Sequence, residues 1–155
     1  MTTIPTDEVT RIATSWAGQS WPLSHDEARQ TCLSLGWLQG ADGIITTDHG
    51  LNHPQVTLIQ GSAEGVDIVS LRITDAVAEP SAQSNMMMND AYTLALQALN
   101  TLWGKAATGN QPQRSHARWD LPNGCRVRLS NIETSVVLHI YSPSAATIER
   151  TLTGS

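Results

Sequence analysis

Between residues 43 and 75 three β-type runs are separated by joints too short to carry the chain across a sheet. The runs are residues 43–48, 55–60 and 65–75, and the last carries apolar members at Val66, Ile68, Leu71 and Ile73. A parallel connection needs about a dozen residues or more. The joints here are Asp48-His-Gly-Leu-Asn-His-Pro54 and Gly61-Ser-Ala-Glu-Gly65, both rich in turn formers. Antiparallel hairpins follow. A second set repeats the pattern: residues 116–121 and 125–130 flank Pro122-Asn123-Gly124, and residues 134–141 follow Asn131-Ile-Glu133.

Helical segments surround these runs. Thr6 is placed to cap a helix over residues 7–16, with Val9, Ile12, Ala13 and Trp16 on one face. Ser24-His25-Asp26-Glu27 has the form of a capping box, opening a helix that runs to Leu35 and stops at Gly36. Ser84 or Asn85 opens the longest helix, which ends at Trp103 before Gly104. Met88, Ala91, Ala95, Leu99 and Leu102 form its apolar stripe. A short helix over residues 145–152 closes the chain. The expected fold is α+β, one antiparallel sheet of about five or six strands with helices on one face, in the order α-α-β-β-β-α-β-β-β-α. The 155 residues suit one domain, ordered from about residue 6 to 152.

Composition excludes several classes. Charged residues are 15% of the chain, and the net charge is −5, so a general nucleic-acid binder is disfavoured. The charge is uneven: residues 1–100 hold 11 acids and three Arg, whereas residues 101–155 hold six cations and three acids. The acidic first part suits a partner with a basic surface. The N-terminus lacks a basic and an apolar signal region, and no run is long enough to span a bilayer, so a cytoplasmic chain is expected. Cys32 and Cys125 lie far apart with no C-x-x-C, and are read as buried thiols.

The candidate chemistry is weaker than its bland alternatives. Asp48-His49-x3-His53 resembles a metal cluster but lacks a third ligand and sits in a loop. Gly61-Ser-Ala-Glu-Gly65 is neither a nucleophile elbow nor a phosphate loop. His25-Asp26-Glu27 is explained by capping. Met86-Met87-Met88 turns about 100° per residue on a helix and cannot converge on one ion, so two core positions and one exposed are expected. Arg126 and Arg128 alternate along one strand with Arg118 on the next, which predicts a shared basic sheet face, ion-paired or forming a protein interface. With no Phe, the five Trp supply the large core pieces, and Trp21 and Trp37 are the candidates for exposure.

Leu35-Gly36-Trp37 after an amphipathic helix, Ile73-Thr74-Asp75 closing a long strand, Leu102-Trp103-Gly104 ending a helix and Arg118-Trp119 opening a hairpin come in a distinctive order. Together, over about residues 8–142, they resemble an uncharacterised actinobacterial family of small single-domain proteins. The order of elements also resembles secretion chaperones and immunity proteins. The resemblance implies a non-catalytic antitoxin that occludes the active site of a cognate secreted toxin, needs no cofactor or metal, and is a monomer alone and a heterodimer with the toxin. Contact is expected through acidic and aromatic positions: Trp37, Asp42, Asp48, Glu64 and Asp67. A secretion chaperone is the alternative. A small-molecule binder or enzyme built on Asp48, His49 and His53 is a third reading.

Overall fold

The computed structural model describes residues 1–61, 65–111 and 114–153. The elements are α1 (Thr6–Ala17), α2 (His25–Ser34), β1 (Leu38–Gln39), β2 (Ile45–Thr46), β3 (Gln55–Gln60) and β4 (Val66–Arg72). After these come α3 (Ala82–Trp103), β5 (Ala107–Gln111), β6 (Arg114–Asp120), β7 (Arg126–Asn131), β8 (Val136–Tyr141) and α4 (Pro143–Thr153).

The architecture is α+β, with one open sheet in the order β1-β2-β3-β4-β8-β7-β6-β5. Every neighbouring pair is antiparallel, as the short joints require. Two four-stranded meanders lie edge to edge, and α3 carries the chain from one to the far side of the other. The sheet therefore has eight strands among the described residues, not five or six. The additions are β1, two residues long, and β5, five residues long. Ala-Thr-Gly-Asn-Gln in β5 has no apolar alternation, and its pairing to β6 from Ala107↔Arg118 to Gln111↔Arg114 is a main-chain ladder at the sheet's edge.

Alternation along the strands assigns the two faces. On one face Val69, Leu71, Ala117, Trp119, Val127, Leu129, Val136, Leu138 and Ile140 are buried. Against this face lie Val9, Ile12, Ala13 and Trp16 of α1 and Met88, Ala91, Ala95 and Leu99 of α3, all buried in the same core. Leu102, expected in the α3 stripe, is 43% exposed in the last turn, and Met86 and Met87 are exposed while Met88 alone is buried. The start of α3 lies earlier than predicted. Ser81 accepts from the Ser84 amide at 3.1 Å and its own amide donates to the Ser84 hydroxyl at 2.8 Å, so the reciprocal cap forms one turn upstream. For α1 the cap position is Pro5, with no side-chain cap at Thr6.

The Ser24–Glu27 capping box of α2 is present. Cys32 and Cys125 are free and buried, and burial pushes their thiols up to about 12 and about 11. The helices do not all share a face. Glu149 of α4 bonds Arg126 and Arg128, which alternate with the core residues Val127 and Leu129, so α4 lies on the opposite side of the sheet.

Candidate functional site

The sheet face opposite α1 and α3 carries the concentration of charge. Strand pairing resolves it into three transverse rows. The first runs Ile59, Ile68, Tyr141, Arg126, Asp120. The second runs Thr57, Ser70, His139, Arg128, Arg118, Ala107. The third runs Arg72, Val137, Ser130, His116, Gly109.

Helix α4 lies over the first row and neutralises it. Arg126 is fully buried and held between two carboxylates: its Nε donates to Asp120 at 2.8 Å and its Nη1 to Glu149 at 2.8 Å. Arg150 of α4 donates to the same Asp120 oxygen at 2.7 Å. These cations hold the Asp120 carboxyl below its ordinary value, the Arg126 hydrogen bond being the largest cause. Burial, and then Glu149, pushes the Tyr141 phenol up to about 12.

The second and third rows are different. Among the described residues, no helix side chain other than Glu149 bonds to them, and all their members but Val137 are partly or fully exposed. Arg118 stands directly opposite Arg128, a like-charge pair that is unfavourable across a ladder. Arg128 reaches Glu149 at 2.6 Å, whereas Arg72 and Arg118 form no ion pair among the described residues. Five nitrogens of this face are shielded from solvent and have no hydrogen-bond partner: Nε of Arg72, Arg118 and Arg128 and Nδ1 of His116 and His139. Both imidazoles are held below the ordinary histidine value. Burial is the larger cause and Arg128 the next, with Arg118 adding at His116. The His116 ring lies so close over Gly109 that a Cβ there would meet Nε2 at 2.4 Å and would displace the ring.

Buried donors in folded proteins are nearly always paired. This face holds three guanidinium Nε donors with no partner and two cations directly opposite each other. Arg118, Arg126 and Arg128 do share one face, as their alternation predicts. Arg72, His116 and His139 complete it, and sequence reading missed them. Arg72 belongs to the otherwise acidic first part of the chain and reaches the patch because β4 pairs with β8.

The residues expected to contact a partner fall in different settings. Trp37 is 2% exposed, its ring 6.2 Å from that of Trp16 in the core, so the ring expected in water is packed instead. The backbone turns inward where Gly36 takes φ 83° and the Trp37 amide bonds back to Cys32. Trp21 is partly buried against the same core. Asp42 is exposed and accepts from the Ile44 amide at 3.0 Å, closing the turn before β2. Asp48 is exposed in the loop after β2, at that strand's other end. Glu64 lies outside the described residues. Asp67 accepts the Ser142 hydroxyl at 2.9 Å while its carbonyl accepts the Ser142 amide at 2.7 Å, so it fastens β4 to the start of α4. Among the described residues no three His, Cys, Asp or Glu side chains gather as a metal site, and His49 and His53 remain loop residues.

Among the described residues no helix is long and apolar enough to cross a membrane. No curated protein and no solved structure matches the chain. A model of a family of unknown function, DUF6301, matches residues 7–142, from α1 through the end of β8. The match takes in both meanders and the helices of the core, and the chain therefore belongs to the DUF6301 family.

Proposed function

We propose that the chain is a non-catalytic binding module that seats an acidic surface of a partner protein on its basic sheet face. Its work is then that of an immunity protein, blocking the active site of a cognate toxin. The observation that carries the reading is the second row, where Arg118 faces Arg128 and has no ion pair of its own among the described residues, Glu149 serving Arg128 alone. A partner's acidic side chain relieves that repulsion and satisfies the unpaired nitrogens, so complementarity is built at the expense of the free state. The reading reverses the sign expected of the partner. Asp42 and Asp67 already serve the chain's own amides and hydroxyls, and the uncompensated cluster is basic.

A protein suits this face better than a nucleic acid. The whole chain carries −5, which opposes a polyanion. Tyr141 on this face lies beneath Arg128, with 5.9 Å between the guanidinium carbon and the ring centre, and stacks with the His139 ring at 6.1 Å, so it does not offer a free stacking platform.

The test is co-expression with the products of adjacent genes, followed by activity assays of whatever is bound. An immunity protein forms a one-to-one complex in which the bound enzyme is inactive, and the complex weakens steeply with salt. A bound partner that keeps its full activity contradicts the immunity reading. Affinity independent of salt contradicts the basic face.

A further inference from the structure

Where β3, β4 and β8 run side by side, the open face sinks into a cavity of about 160 Å³ lined by Gln55, Thr57, Ser70, Leu71, Arg72 and Val137. Thr57 is directly opposite Ser70, and Arg72 directly opposite Val137. The lining is a guanidinium, two hydroxyls and a primary amide beside the apolar Leu71 and Val137, and it contains no carboxylate. Arg72 Nε is shielded from solvent and unpartnered, and the side chain forms no ion pair among the described residues.

We propose that this cavity is a carboxylate-binding site centred on Arg72. The guanidinium presents a planar fork of N–H donors that matches the two oxygens of a carboxylate. The Ser70 and Thr57 hydroxyls and the Gln55 amide are donors able to fill the remaining lone pairs. A single cation lines the site, so it balances a monoanion and leaves a phosphate dianion half neutralised. The site is complete within this chain: as a site for a free acid it is independent of the docking proposed above, and as a site for a protein side chain it rests on that reading. Its ligand is either a free small carboxylate or an Asp or Glu side chain presented by another protein.

The experiment is an NMR titration of the isotope-labelled full chain, following the Arg72 Nε–Hε resonance and the Thr57 and Ser70 amides. The probes are sodium acetate, N-acetyl-aspartyl amide, inorganic phosphate and, at matched ionic strength, sodium chloride. Acetate is expected to give a saturable shift at a half-point at least about ten-fold below chloride, because a charge-assisted pair of hydrogen bonds is made to it alone. Arg72→Lys, which keeps the charge and loses the fork, is expected to weaken acetate by about ten-fold. Ser70→Ala, a smaller change, is expected to weaken it several-fold and serves if the Lys variant folds poorly. Saturation by both acetate and the blocked aspartate identifies a side-chain ligand, and saturation by acetate alone a small free acid. Equal response to chloride, tighter binding of phosphate than acetate, or an unchanged half-point in both variants overturns the site.

Discussion

Arg118 and Arg126 lie on the same sheet face and have opposite energetics. Arg126 is buried between Asp120 and Glu149, and removing it empties a fully buried position and takes the innermost cation from both carboxylates, leaving them to Arg150 and Arg128. Arg126→Ala is expected to destabilise the fold by about 3–5 kcal/mol, read from denaturant unfolding. Arg118 faces Arg128 and has no carboxylate of its own. Arg118→Glu replaces a like-charge cross-strand pair by an opposite one, and is expected to stabilise the free chain by about 0.2–1 kcal/mol in the same measurement. A loss of stability there would mean that the face is already neutralised. At this scale the sequence was partly legible. Period-two alternation put Arg118, Arg126 and Arg128 together, because alternation is a local property of a strand. Trp37 was misread because its direction depends on the left-handed turn at Gly36 and on Trp16, twenty-one positions earlier. Arg72 was invisible because nothing local says which strand will lie beside β4.

The element scale is governed by how α4 is fastened and by what the two histidines allow. The Ser142 hydroxyl accepts from the Ala145 amide at 3.0 Å and donates to Asp67, capping α4 and tying it to β4 in one residue. Ser142→Ala is expected to cost about 1 kcal/mol, measured by thermal or denaturant unfolding. His116 and His139 sit in rows that suppress their protonation. Because their folded values lie below the unfolded value of about 6.5, the unfolded chain takes up protons first as pH falls. Stability is therefore unaffected above about pH 7 and declines as pH drops below about 6.5. His139→Gln is expected to flatten that limb in unfolding midpoints taken at pH 7.5 and 5.5. Asp120 acts in a separate window: its lowered value contributes stability above the unfolded carboxyl range near 3.9 and loses it as pH falls below that. The helices and long strands were readable from caps and periodicity, since both are written in neighbouring residues. The strands β1 and β5 were not, because edge strands held by main-chain bonds need no apolar pattern.

At the scale of the whole molecule, the separation of charge is by face rather than by position along the chain. The composition divides at the long helix into an acidic first part and a basic remainder. Folding redistributes this. Pairing of β4 with β8 brings Arg72 to the cations of β6 and β7, while α4 supplies Glu149 to one side of the patch only. Strand order is a long-range property, decided by how two meanders meet over α1 and α3, and short-range signals do not encode it. The decisive measurement is the affinity of the wild-type chain, Arg118→Glu and Asp48→Lys for the protein it co-purifies with, by calorimetry at two salt concentrations. The expected result is that Arg118→Glu weakens binding by about ten-fold or more and reduces its salt dependence, with Asp48→Lys close to wild type. Unchanged binding in Arg118→Glu together with loss in Asp48→Lys would contradict the basic face and return the contact to the acidic loops.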